Sequence, residues 1–389
     1  MKLSRFDVLL YLEECRNREE LLKAIEQNAL YKGISERAIS ERLRELRKDN
    51  LITKHLELNE DNPKLWNLLA FLHWSRLRGK DYNALLMGKS TKIFGRILAD
   101  PRVKLSRLSK RTGLSKPTVS KYLGLLEEGN LIERVKEKPL KLSIRFNDLT
   151  FFYVNLLGHD LDSYGKEFII PEMREIQSKE LREKLIELHT YSTTVTEGNT
   201  ATEEDVEKVF GNYPVKLTPR EITEILNARE AVEHLYRNGG EEITLREIRR
   251  LHEILMKGLV EKPGRFHYDR KRIIGSEAKL PQSKDEIQLA LQAMLNFHHE
   301  YKGEIDARIL SAIIHFIFVT IHPFADGNGR AGRLLHSWIL LKEDLPLFVF
   351  DPNRKNEYFE LLEAGRKNSL DGFIEFCLAE HARALESIT

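Results

Sequence analysis

An apolar run of about 13 residues, Ile309 to Ile321, ends abruptly at His322-Pro323. It is too short for a bilayer, which needs roughly 20 residues, and longer than an ordinary strand of about 4–8. It therefore reads as a buried helix that Pro323 terminates. Phe324-Ala325-Asp326-Gly327-Asn328-Gly329-Arg330-Ala331-Gly332-Arg333 follows, with a second helix expected from about Arg330. The chain must turn sharply between two helices and line that turn with glycine.

Three known glycine patterns fit poorly. Gly327, Gly329 and Gly332 satisfy GxGxxG, but that fingerprint needs a strand before it and alternating β/α units after it. Here the run follows a helical Asp306-Ala307-Arg308 and no such alternation appears. A phosphate loop fails because Arg333-Leu334 stands where Lys-Ser/Thr belongs. A calcium loop starting at Asp326 fails because Arg330 and Ser337 replace oxygen ligands.

The residues themselves suggest a site for a polyphosphate. A glycine-lined helix N-terminus presents unpaired N–H groups and the positive end of the helix dipole to an anion. Arg330 and Arg333, one turn apart, can fork onto successive phosphates. Asp326 is a hard oxygen ligand suited to Mg²⁺, which takes one or two carboxylates and completes its shell with water and phosphate. His322 adds a proton acceptor that works near neutral pH.

Charge divides the chain in two. Residues 1–150 hold 31 Lys/Arg against 20 Asp/Glu, and the remainder 31 against 40. A basic front half suggests a nucleic-acid-facing module. Two stretches in it share a layout. In Gly33 to His55, Ser35 caps a helix carrying Ile39, Leu43 and Leu46, and a short strand Leu51-Ile52-Thr53 follows. In Leu105 to Val135, a helix, a Thr112-Gly113 turn, a second helix capped by Ser115 with Pro117 in its first turn, and a strand Leu131 to Val135 appear in order. Both resemble winged helix-turn-helix modules, the second more closely. Between Pro101 and Leu126 lie seven basic residues and no acidic one. Lys116, Thr118, Ser120 and Lys121 fall on or beside the expected recognition helix. Glu36, Glu41 and Glu45 on the first module's helix would repel phosphate, so that module reads as structural or dimerising.

Beyond about residue 165 the pattern is helical, with helix starts at Thr218-Pro219 and a capping box at Thr244 to Glu247. Arg270 to Pro281 is a non-helical island expected to form a short strand or hairpin. Cys15 and Cys377 lie far apart with no paired spacing, which fits a reducing cytoplasm. No stretch reads as a secretory signal or a membrane span.

HPFADGNGRAGR matches HxFx[DE]GNGRxxR at each fixed position, and in this the chain resembles the Fic family over roughly residues 165–385. The resemblance implies an all-helical nucleotidyltransferase that moves AMP from Mg²⁺-ATP to a hydroxyl of a protein target or of itself. It implies His322 as base, Asp326 on the metal, and Gly327, Asn328 and Gly329 around the α- and β-phosphates. Arg330 and Arg333 would hold the β- and γ-phosphates, and Tyr358 would stand in the adenine pocket. Ile273, Ile274, Gly275 and Ser276 would form a flap that aligns the target backbone by strand addition.

Thr193-Thr194-Val195-Thr196-Glu197-Gly198 also fits that family's inhibitory pattern [ST]xxxE[GN]. This implies that Glu197, at the end of a helix carrying Thr193 and capped by Gly198, pairs with Arg333 in place of the γ-phosphate. In some members such a glutamate also serves the reverse, AMP-removing reaction.

The expected architecture is mainly α. A winged-helix-like module (1–60), a helical connector (61–90) that packs the two modules together and a winged helix-turn-helix (91–150) precede an all-helical core with a short β-hairpin flap (151–389). The inhibitory helix occupies about 178–199 of that core. A homodimer is also expected. The alternative reading is a DNA-binding transcriptional regulator whose helical core senses nucleotide and modifies itself.

Overall fold

The computed structural model describes residues 3–15, 17–100, 102–137, 140–171, 179–238, 241–267, 273 and 276–386. Among these the fold is mainly α-helical with one two-stranded sheet. Local chemistry sets many helix starts. Ser4, Asn17, Ser35, Ser115, Asn147, Thr202, Thr244 and Ser283 each accept a backbone N–H of the first turn. Such caps satisfy donors that a helix cannot pair internally.

The front half opens with helices Arg5–Leu12, Arg18–Gln27 and Glu36–Lys48. Ile39, Leu43 and Leu46 are buried on the last of these, as their spacing requires. The strand expected at Leu51-Ile52-Thr53 does not form; a single bridge, Ile52 to Leu58, stands in its place. Helix Pro63–Leu77 is buried on several sides because it packs on Asp148–Leu157 and Lys284–Tyr301. The connector also reaches both modules, through Tyr82 to Asp7 at 2.5 Å and Lys80 to the Glu128 carbonyl at 2.7 Å.

The second module consists of helices Gly88–Ala99, Leu105–Thr112 and Lys116–Glu128, followed by the hairpin Ile132–Glu137 and Leu140–Ile144. Gly113 adopts φ 69° at the turn between the second and third helices, a left-handed conformation that glycine takes without strain. The boundary expected at 150/151 falls inside helix Asp148–Leu157, which continues from the module into the core.

In the back half, helix Ala307–Ile321 buries each residue from Ile309 to Ile321. A helix apolar all round belongs at the centre of a bundle. Asn328–Leu341, Lys284–Tyr301, Lys355–Lys367 and Asp371–Glu386 pack around it. Lys179–Thr196 and Pro219–Asn238 lie over the N-terminal side of Asn328–Leu341.

Of the island Arg270–Pro281, where a short strand or hairpin was expected, the described residues 273 and 276–281 form no strand, and Arg270, Lys271 and Arg272 lie outside the described residues. Ile274 and Gly275 lie outside the described residues. Thr244 caps its helix, but the Glu247 carboxylate turns to His234 rather than completing the capping box. No helix among the described residues is long and apolar enough to cross a membrane.

Candidate active site

Helix Ala307–Ile321 ends with His322 at φ 57°, an uncommon conformation for a residue with a side chain. The backbone reverses there, and the next helix starts at Asn328 with Gly327 (φ 77°) as its cap. A side chain at Gly327 would meet Met256 Sδ at 2.6 Å, so glycine is required on both counts. Asn328 is buried. Its Oδ1 accepts from the Phe324 N–H at 2.9 Å and its Nδ2 donates to the Phe324 carbonyl at 2.8 Å. Its amide therefore braces the turn.

The His322 ring is fixed in a definite tautomer. Its Nδ1 lies 3.3 Å from the Val319 carbonyl and must donate to it, so Nε2 carries the free lone pair. Burial pushes its pKa down to about 4. The Val319 carbonyl opposes that shift, while Arg366 and His267 reinforce it. The ring is neutral, as a base must be. The His322 carbonyl accepts from His267 Nε2 at 3.0 Å, and the His267 N–H donates to the Pro323 carbonyl.

His252 braces the same turn and had no distinguishing signal in the sequence. Its Nδ1 accepts the Gly264 N–H at 2.8 Å, so Nε2–H donates to the Asp326 carbonyl at 2.9 Å. The ring stacks on Phe324 with centroids 3.7 Å apart. Burial lowers its pKa to about 4.

The Asp326 side chain is 49% exposed, and its Oδ1 accepts the Gly327 N–H at 2.6 Å. Among the described residues no group of three or more His, Cys, Asp or Glu is placed to hold a metal. A single accessible carboxylate beside a helix N-terminus nevertheless suits Mg²⁺, because phosphate and water supply its remaining ligands. Arg330, 5% exposed, lies 3.6 Å from Glu224 and 3.7 Å from Asp326.

Arg333 is 1% exposed and points toward helix Lys179–Thr196. Its Nε donates to Thr193 Oγ1 at 2.8 Å, and its Nη2 to the Thr193 carbonyl at 3.1 Å and to Glu197 Oε1 at 2.6 Å. A Cβ built on Gly329 would come within 2.3 Å of that same Glu197 oxygen. The carboxylate thus sits over the first turn of Asn328–Leu341, where an anion is favoured. Gly198, at φ 102°, lets the chain leave the helix. Asn199 then donates to Glu224, which also faces Arg330.

Tyr358 does not line an adenine pocket. It is 1% exposed, with its hydroxyl 2.9 Å from His315 Nε2 and the Arg333 guanidinium 5.9 Å over its ring. It supports Arg333 from behind. Ser276 donates to Glu363 at 2.6 Å, and Ile273 accepts the Ser276 N–H; neither lies in a strand.

On the front half, Arg102, Lys104, Arg107, Lys110, Arg111, Lys116 and Lys121 are all exposed. Ser120 is exposed as well, but the Thr118 hydroxyl pairs with the capping Ser115 at 2.8 Å.

Helix order and site give a helical core preceded by a module of three helices and a hairpin. Residues 242–340 match the Fic/DOC family, and residues 89–133 match a winged helix-turn-helix DNA-binding family. The chain carries a Fic/DOC-family domain. It is similar to Protein adenylyltransferase Fic of Nematostella vectensis, 27% identical over 222 residues, covering 54% of this chain and 50% of that protein. The protein of the same name from Drosophila willistoni is 26% identical over 138 residues, covering 35% of this chain and 27% of that one. The chain thus spans between about a quarter and a half of the length of these curated relatives. A crystal structure of a Fic family protein from Desulfovibrio desulfuricans is 29% identical with a TM-score of 0.47, covering 54% of this chain and 66% of that one.

Proposed function

We propose that this chain is an autoinhibited protein adenylyltransferase that moves AMP from ATP to a side-chain hydroxyl of a protein. The observation that carries the reading is a neutral histidine with a free Nε2 beside a glycine-lined helix N-terminus that already holds a carboxylate. His322 Nε2 takes the proton of the hydroxyl. The hydroxyl oxygen then forms its bond to the α-phosphorus while the bond to the β-phosphate oxygen breaks, and pyrophosphate leaves. Such a base contributes about 10²–10⁴-fold. The N–H groups of the first turn and the Arg330 guanidinium meet the charge that develops on the phosphates, usually the largest single contribution. Asp326 would hold Mg²⁺, which when bound neutralises phosphate charge.

Glu197 keeps Arg333 from the γ-phosphate, so ATP cannot settle in the reactive pose. The same carboxylate is 26% exposed, so it can orient a water, which keeps the reverse, AMP-removing reaction within its reach. The exposed basic face of the winged helix-turn-helix favours DNA as a second partner, so regulation of transcription with self-modification is the companion reading. The test is label transfer from ATP carrying the label on its α-phosphate. Glu197→Gly is expected to label protein, and Glu197→Gly/His322→Ala is not. Label persisting in the double variant overturns His322 as the base.

A further inference from the structure

Two charged side chains, one from the connector helix and one from the core, reach residues 276–279, which follow the segment expected to align the target. Arg78 closes helix Pro63–Leu77 and stacks 5.0 Å over Trp74. It forks onto Asp148 Oδ2, with Nε at 2.7 Å, and its Nη1 donates to the Lys279 carbonyl at 2.6 Å. Arg78 is 14% exposed and Asp148 2%. Asp148 begins the helix that follows the wing. Arg366 lies 3.2 Å from Glu363 and 3.3 Å from the Thr320 hydroxyl, two residues before His322. Glu363 accepts the Ser276 hydroxyl at 2.6 Å, and Ser276 Oγ in turn accepts the Ala278 N–H at 3.1 Å. The winged module also holds this helix: Asn130 Nδ2 donates to the Lys367 carbonyl at 3.0 Å, and the Leu370 N–H donates to the Phe146 carbonyl at 2.7 Å.

Residues 276–279 lack regular secondary structure, so their backbone is not held by a ladder. Two side chains from outside supply that support, one from the front half and one from the core. The Lys279 contact is exposed and the Ser276 contact half-buried, and a hydrogen bond to a charged partner contributes about 1.5–3 kcal/mol, so the two together favour one arrangement of the segment. We propose that Arg78 and Glu363 are positioning residues that hold residues 276–281 in place, so that the winged-helix half of the chain sets how a protein target is presented to His322. The inference rests on the transferase reading for its second clause only.

Hydrogen exchange and transfer kinetics test the two clauses separately. Arg78→Met and Glu363→Gln are compared with the full-length parent, and Arg78→Lys serves if Arg78→Met does not fold. It keeps the charge on Asp148 but cannot also reach Lys279. The amides of 276–280 are expected to exchange at least tenfold faster, with those of 328–341 unchanged. In the Glu197→Gly background, with a His322→Ala copy as acceptor, KM for the acceptor rises about tenfold while kcat and ATP affinity stay within twofold. Unchanged exchange at 276–280 overturns the proposal. Exchange rising equally across 328–341 also overturns it, since the residues are then merely structural. If Glu197→Gly itself transfers no label, the transferase reading falls, and the exchange result still decides whether the segment is pinned.

Discussion

Replacing Glu197 with glycine removes the carboxylate from a guanidinium that is 1% exposed. Arg333 keeps its two bonds to Thr193 but loses the 2.6 Å contact to Glu197. Breaking a fully buried pair costs about 3–5 kcal/mol. The Glu197 side chain is 26% exposed, so the lower value for a charged hydrogen bond, about 1.5–3 kcal/mol, applies. That range corresponds to about a 10- to 150-fold change in how often Arg333 is free to take another anion, at about 1.4 kcal/mol per factor of ten. Two opposite effects follow. Without nucleotide the variant melts a few degrees lower, because a buried charge is uncompensated. With Mg²⁺-ATP the γ-phosphate takes the place of the carboxylate, so ATP binds more tightly and stabilises the variant more than wild type. Calorimetry or dye-monitored melting, with and without Mg²⁺-ATP, reads both, and α-labelled ATP reads transfer. Glu197→Gln, which keeps the acceptor without its charge, falls between. A variant that melts like wild type, gains nothing from ATP and transfers no more label would refute the argument that this pair governs the site.

Three further outcomes follow from the geometry. Tyr358→Phe removes the hydroxyl that meets His315 at 2.9 Å, which costs about 1–3 kcal/mol for a buried group left unpaired; urea denaturation reads it, and unaltered stability contradicts the supporting role. The pKa values of His189, His252, His298, His322 and His381 are lowered to about 4, mainly by burial, so the unfolded chain binds more protons below about 6.5, and stability, full above that pH, falls as pH drops toward 4, by about 2 kcal/mol per histidine at pH 5; the denaturation midpoint at pH 7.5 and pH 5 measures this, while transfer by Glu197→Gly stays level from pH 8 to 6, and an inflection near 6.5 would contradict a neutral buried base. Lys116→Glu/Lys121→Glu, at two exposed positions, weakens DNA retention and lowers the salt slope by about two, near one unit per phosphate contact; retention that ignores salt and the substitutions removes the recognition-helix assignment.

The sequence was most readable where the backbone has few choices. Pro323 cannot continue a helix, Gly327 takes a left-handed conformation, and thirteen buried residues make Ile309 to Ile321 central. The second module was legible for the same reason, since Ser115, Pro117 and Gly113 each have a strong positional preference. Contacts between distant segments were less so. Nothing near His252 marks it as the brace of Asp326, 74 residues away, or Met256 as the floor beneath Gly327. Asn328 and Tyr358 show the same limit from the other side. A motif says which residue types gather in a place, whereas the side chain's direction depends on what packs behind it. Asn328 turns back to Phe324, and Tyr358 turns inward to His315.

Arg333 brings these levels together. The Asn328–Leu341 helix directs it away from solvent, and Tyr358 and His315 fill the space behind it. The Lys179–Thr196 helix supplies Thr193 and then Glu197, one turn further on, as its partners. A guanidinium held from three sides has little freedom to move, so exchange between carboxylate and phosphate must come from the carboxylate's side. The mobile partner is then the end of the Lys179–Thr196 helix, where Gly198 lets the backbone turn and Asn199 ties it to Glu224. Glu224 also faces Arg330, so an anion drawn to Arg330 acts on the same tie that holds the inhibitory turn. On the proposed function, nucleotide and the Glu197 turn would compete at two arginines through two glutamates, rather than at a single pair.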